Sequence, residues 1–163
     1  MTGDLRYTFS NNRISDLKGY LEQEGLVLDT SGITYTINPF LWSMITRLPV
    51  IDFSSASSIS FYYAYLLKSI DKLILKQDGS QSFNFQGVGS LEEIEIEGVI
   101  GKAIDLGACP LSRQSIESVV AALSDITSKL TVTFKKTAKE AAFTEDEWNA
   151  LKATKSNWTF ALA

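Results

Sequence analysis

From Leu48 onward the chain repeats one small pattern, an apolar-x-apolar triplet set off by turn residues. The triplets are Ile51-Asp52-Phe53, Leu73-Ile74-Leu75, Ile94-Glu95-Ile96, Ile104-Asp105-Leu106, Val132-Thr133-Phe134 and Phe160-Ala161-Leu162, with Phe83-Asn84-Phe85 between two of them. Ile51 to Leu73 is 22 residues, Leu73 to Ile94 and Phe83 to Ile104 are 21, and Ile104 to Val132 and Val132 to Phe160 are 28. So short a strand cannot bury its own apolar side chains, but stacked on similar neighbours it shares one core. Intervals of roughly 20 to 29 residues are those of leucine-rich repeats. The spacing predicts an α/β fold: a leucine-rich-repeat-like solenoid of short stacked strands over residues 48–163, with helices in the C-terminal repeats.

Those helices have their own signals. Ile116, Val119, Val120 and Leu123 recur at helical spacing within Ser112 to Ser124. Thr144 to Thr154 opens on Thr144-Glu145-Asp146-Glu147, which resembles a capping box. The earlier crossings, such as Ser54-Ser55-Ala56-Ser57-Ser58, are small and polar. Residues 1–47 read differently, as an N-terminal helical cap or small α+β module. A helix is expected over Asn12 to Glu24, with Ile14, Leu17 and Leu21 as its stripe, Asn11 or Asn12 as its cap and Gly25 as its stop. Strands are expected at Leu26 to Leu28 and Ile33 to Ile37, and a short helical stretch at Phe40 to Thr46.

Leu91-Glu92-Glu93-Ile94-Glu95-Ile96-Glu97-Gly98, Leu111-Ser112-Arg113-Gln114-Ser115-Ile116, Leu130-Thr131-Val132-Thr133 and the ending Glu147 to Thr159 resemble the C-terminal part of BspA-type leucine-rich-repeat proteins of gut Firmicutes and their phages. The resemblance covers about residues 48–163. It implies a fold and a binding role, with no catalytic residues to carry over. Two departures, the missing secretion signal and the unmatched first fifty residues, favour a phage-encoded or intracellular protein over a surface adhesin.

The composition bears on function mainly by exclusion. The net charge is −4, with no basic stripe for phosphates, so no direct nucleic-acid contact is expected. The one basic cluster, Lys135, Lys136 and Lys139, reads as a solvated helix end. Histidine is absent, which removes the commonest general base and metal ligand. Cys109, the single cysteine, sits among small residues and reads as a buried hydrophobe. Gly87-Val88-Gly89 reads as a turn and not a phosphate loop. The N-terminus has no signal-peptide pattern, and no apolar run reaches the length of a membrane span. The expectation is a non-enzymatic protein with no cofactor, metal or membrane contact, cytoplasmic in a bacterial host cell or associated with a virion.

Two surfaces are candidate binding sites. Because side chains alternate along a strand, the middle residue of each triplet faces outward. Stacking would then gather Asp52, Glu93, Glu95, Glu97 and Asp105 on one acidic sheet face, either a surface for a basic partner or charges that keep a flat sheet soluble. The run Phe61-Tyr62-Tyr63-Ala64-Tyr65-Leu66-Leu67 cannot turn every ring inward. Some of Tyr62, Tyr63 and Tyr65 should therefore be exposed, as contact residues or as phenols reaching water from a buried crossing. The chain ends on its last triplet, so the uncapped C-terminal end is expected either to be covered by another molecule, a homodimer partner among the candidates, or to stand as an exposed edge strand. Together these readings point to a phage-encoded protein-binding module that engages a bacterial protein, with inhibition of a host defence system as one such role. The alternative is a structural or adhesive part of a phage particle or cell surface.

Overall fold

The computed structural model of the chain describes residues 2–6, 15–37, 39–125 and 129–163. In chain order the elements are β1 (Thr2–Arg6), α1 (Leu17–Glu24), β2 (Gly32–Ile37), β3 (Arg47–Asp52), β4 (Ser58–Ser60), β5 (Ser69–Ile74), β6 (Ser82–Asn84), β7 (Glu93–Glu97), β8 (Ile104–Leu106), α2 (Arg113–Ala122), β9 (Leu130–Phe134), α3 (Lys136–Ala142), α4 (Glu145–Ala153) and β10 (Trp158–Leu162). All the strand pairs among them are parallel.

The expected leucine-rich-repeat-like solenoid with one continuous sheet is not what forms. Among the described residues the result is a mixed α/β arrangement of four helices and four small sheets, β1-β2, β10-β9-β8, β3-β5-β7 and β4-β6. The triplet spacing correctly reports neighbours such as Ile51 opposite Leu73, Ile104 opposite Val132 and Val132 opposite Phe160. A period does not say which sheet a strand joins. Phe83 pairs with Ile59 in a sheet of its own, and α2 packs beside β7, so β3-β5-β7 ends there and Ile94 and Val132 fall in different sheets. Leu73 also faces Ile96 instead of Ile94, because β5 carries two residues, Asp71 and Lys72, where β7 carries only Glu95. Such a bulge turns side chains that simple alternation would misplace.

Local sequence sets the helices. Asp16 caps α1, accepting the Gly19 amide at 2.8 Å, so this helix starts later than Asn12. Asn11, Asn12 and Ile14 lie outside the described residues. The Ser112 hydroxyl caps α2, which buries Ile116, Val119 and Val120. Thr144 and Glu147 form the reciprocal capping box of α4. Three other expectations fail. Leu26 to Leu28 is loop, with Val27 91% exposed, and Phe40 to Thr46 is a turn in which Trp42 has φ 51°. Lys139 is buried with its ammonium on Glu145, not solvated.

The core is one cluster running from Leu17, Ile33 and Phe40 to Trp148 and Trp158. Much of it is built on four hydrogen-bonded turns, Phe40–Ser43, Phe61–Ala64, Phe85–Val88 and Leu106–Cys109, each closed by the amide of its fourth residue. First and fourth residues of each turn are buried. The Phe61 ring lies 5.4 Å from that of Phe40 and 5.2 Å from that of Phe85. Fully buried Gln81 ties the interior together: its Nε2 donates to the carbonyls of Phe53 and Ala56 at 2.7 and 2.9 Å, and its Oε1 accepts the Lys76 amide at 2.7 Å. Elsewhere backbones touch directly, and a Cβ on Gly101 would lie 2.5 Å from the Gly79 carbonyl oxygen.

Candidate functional site

The outer face of β3-β5-β7 carries most of the acidic residues singled out from the sequence. Asp52, Ile74 and Glu97 form one row across it, and Val50 and Lys72 belong to the next. The fold does not bring all five carboxylates together, because Asp105 is on β8 in another sheet. Each of the five has a local task. Asp52 accepts the Ser54 amide at 2.8 Å, and Asp105 accepts the Gly107 amide at 2.9 Å. Glu93 accepts the Ser112 hydroxyl at 2.8 Å. Lys72 donates to Glu95 at 3.0 Å and to Glu97 at 3.1 Å, and these bonds, Glu95 first, raise its pKa. The β5 bulge thus sets a cation into a face that the sequence presented as purely acidic.

At its α1 end this face opens into a cleft of about 500 Å³, which sequence reasoning missed. Its apolar walls are Leu21 from α1, Leu26 and Val27 from the following loop, and Val50 and Ile74 from the sheet. Leu26, Val27 and Val50 are 54%, 91% and 47% exposed, although each is aliphatic. Among the described residues, Glu22, Asp29, Asp52 and Asp71 stand around it, against the single ammonium of Lys18. Lys18 is held 2.7 Å from Asp71 and 3.8 Å from Glu22. The Thr30 hydroxyl, itself buried, accepts the Asp52 amide at 2.7 Å and fixes the loop against β3. An apolar concavity with a few placed polar groups is the usual form of a binding site. Its size and acidic surround suit an apolar side chain flanked by cations.

The aromatic run resolves by threes. Phe61, Ala64 and Leu67 are buried, Tyr63 and Tyr65 are exposed and Tyr62 is half-buried. Tyr62 and Tyr63 have ring centroids 4.4 Å apart. Trp42 is 54% exposed and joins this surface, its amide donating to the Tyr63 carbonyl at 3.2 Å.

The chemistry of reactive groups is sparse. Burial pushes the Cys109 thiol up to about 12, and it donates to the Val88 carbonyl at 3.1 Å. Among the described residues no cluster of three histidine, cysteine, aspartate or glutamate side chains is arranged to hold a metal. No described helix is long and apolar enough to cross a membrane.

No protein-family model, curated protein or solved structure matches the chain.

Proposed function

We propose that the protein is a non-enzymatic module that binds another protein of basic character through the β3-β5-β7 face and the cleft at its α1 edge. The observation that carries this reading is the cleft itself, whose exposed aliphatic walls stand among four carboxylates and one lysine. Apolar surface left in a concavity is a binding surface in waiting, since covering it releases roughly 25 cal/mol per Å². The carboxylates of β7 extend the same negative potential across the sheet, which would steer a cationic partner and fix its register. A chain without histidine, with its one thiol buried, supports binding over catalysis.

The test is capture from bacterial lysate, comparing the wild-type chain with Val27→Asp and with the triple charge reversal Glu93→Lys, Glu95→Lys, Glu97→Lys. The expected result is one stoichiometric partner, lost with Val27→Asp and weakened by the triple variant in a salt-dependent way. Equal capture by all three proteins would overturn the proposal.

A further inference from the structure

Away from that face, three of the stacked turns share an unusual feature. The third residue of each has a left-handed backbone: Trp42 at φ 51°, Tyr63 at φ 53° and Gly87 at φ 79°. The layers are joined through backbone bonds, Trp42 N–H to the Tyr63 carbonyl at 3.2 Å and Tyr63 N–H to the Gln86 carbonyl at 2.9 Å. Positive φ at the third position of a turn calls for glycine. Only the Gly87 layer has it. Trp42 and Tyr63 are the only non-glycine residues with positive φ among those described, and both hold an exposed aromatic ring there. The strain is not offset by burying Trp42, which is 54% exposed. Strained, exposed positions of this kind concentrate at functional sites.

The third layer supplies what the first two lack. Because Gly87 has no side chain, the Tyr63 ring packs close against it; a Cβ there would fall 2.4 Å from Tyr63 Cδ1. Beside Gly87 opens a cavity of about 390 Å³ lined by Phe83, Asn84, Gln86, Asp105 and Ala108. Asn84 commits one oxygen to the Gln86 amide at 3.0 Å, and Asp105 one oxygen to the Gly107 amide at 2.9 Å. The remaining amide hydrogens and carboxylate oxygen can donate and accept in several directions. Among the described residues no basic side chain lines the cavity, which makes it unsuited to phosphate or sulfate.

We propose that this corner is a carbohydrate-binding site: the rings of Trp42 and Tyr63 stack on the apolar faces of successive sugar units of a neutral polysaccharide, and Asn84, Gln86 and Asp105 bond the hydroxyls of a unit held in the cavity. A sugar ring has that dual character, C–H groups on its faces and hydroxyls at its rim, and flat exposed rings beside amides and a carboxylate match both. A protein hot spot would instead call for a deep, dry, apolar socket.

The experiment is native gel electrophoresis of the whole chain through gels containing a mixed-linkage glucan, a xylan, a mannan or glycogen. The wild-type protein should be retarded in at least one gel. Trp42→Gly should lose that retardation at least tenfold without a lower melting temperature, since glycine suits the left-handed turn better than tryptophan. Gln86→Ala keeps the backbone bond to Tyr63, so it decides the matter if Trp42→Gly fails to fold, and it should also weaken retardation. The triple β7 charge reversal should bind polysaccharide like the wild type, which separates this site from the protein-binding face. Absence of retardation in every gel, or retardation unchanged in a folded Trp42→Gly or in Gln86→Ala, overturns the proposal.

Discussion

The hydroxyl of Ser115 accepts the backbone amide of Ile94 at 2.8 Å. Ser118, one helical turn on, accepts the amide of Ile96 at the same distance. Serine side chains on α2 therefore satisfy β7 amides that a further strand would otherwise pair. Thr30 performs the same service for Asp52 on β3 at the opposite edge. Unpaired edge amides are templates for unwanted strand pairing, and here hydroxyls cover them.

Ser115 is buried, so Ser115→Ala leaves the Ile94 amide without a partner and should cost about 1–3 kcal/mol. Ser118 is half-buried, so water can replace part of its bond and Ser118→Ala should cost less. Urea unfolding of the two variants checks the order, and equal losses would show that the hydroxyls do not act as edge partners.

Gln81 makes three bonds to backbone groups of the interior. Gln81→Leu keeps similar volume but strands the Ala56 carbonyl and the Lys76 amide, and it leaves the Phe53 carbonyl with the Ala56 amide alone. The expected loss is about 3 kcal/mol or more, read from the denaturant midpoint at constant slope. A variant as stable as the wild type would mean those groups find water instead.

Glu147 is held down to about 2, first by the Thr144 amide it accepts, then by Arg113 and by the Thr144 hydroxyl. Its ordinary value is 4.5. The folded pKa is the lower one, so the stabilisation is present above 4.5 and fades as pH falls from there toward about 2. Glu147→Gln should therefore flatten the acid limb of the stability curve in that window, measured as denaturant midpoints at several pH values. Parallel curves for variant and wild type would contradict the assignment. Arg113 also lies 4.7 Å over the Phe143 ring and donates to Glu117 and to the Ala142 carbonyl, so Arg113→Lys should lower stability even with charge kept.

Cys109 titrates at about 12 in the fold against an ordinary 9.0. Its folded pKa is the raised one, so the unfolded thiol ionises first and stability should decline as pH climbs from 9 toward 12. Below 9 an aromatic disulfide reagent should modify Cys109 only on unfolding, at a rate that rises with urea. Fast modification of the native protein would show that the Leu106–Cys109 turn opens.

What the sequence made legible was local. The α4 capping box needs only Thr144 and Glu147, three residues apart, and it is present in full. The stripe of α2 and the strand pairs Ile51–Leu73 and Val132–Phe160 also follow from spacing. The four-sheet arrangement was not legible, because equal intervals recur in strands that belong to different sheets. Nor was the cleft, whose walls come from positions as far apart as Leu21 and Ile74. One signal was overlooked. Buried Ile70 and Leu73 are three apart within β5, as Leu48 and Ile51 are within β3, and strict alternation would make such pairs two or four apart. That irregular step is what brings Lys72 to Glu95 and Glu97.

The close approach of Gly79 and Gly101 limits how this chain could be remodelled. The turn after β5 and the loop after β7 abut through bare main chain, so lengthening or decorating either one would push on the other. Fusion tags, grafted epitopes or spectroscopic probes belong instead on the Leu26–Leu28 loop when the cleft is not under study, where Val27 already stands in water.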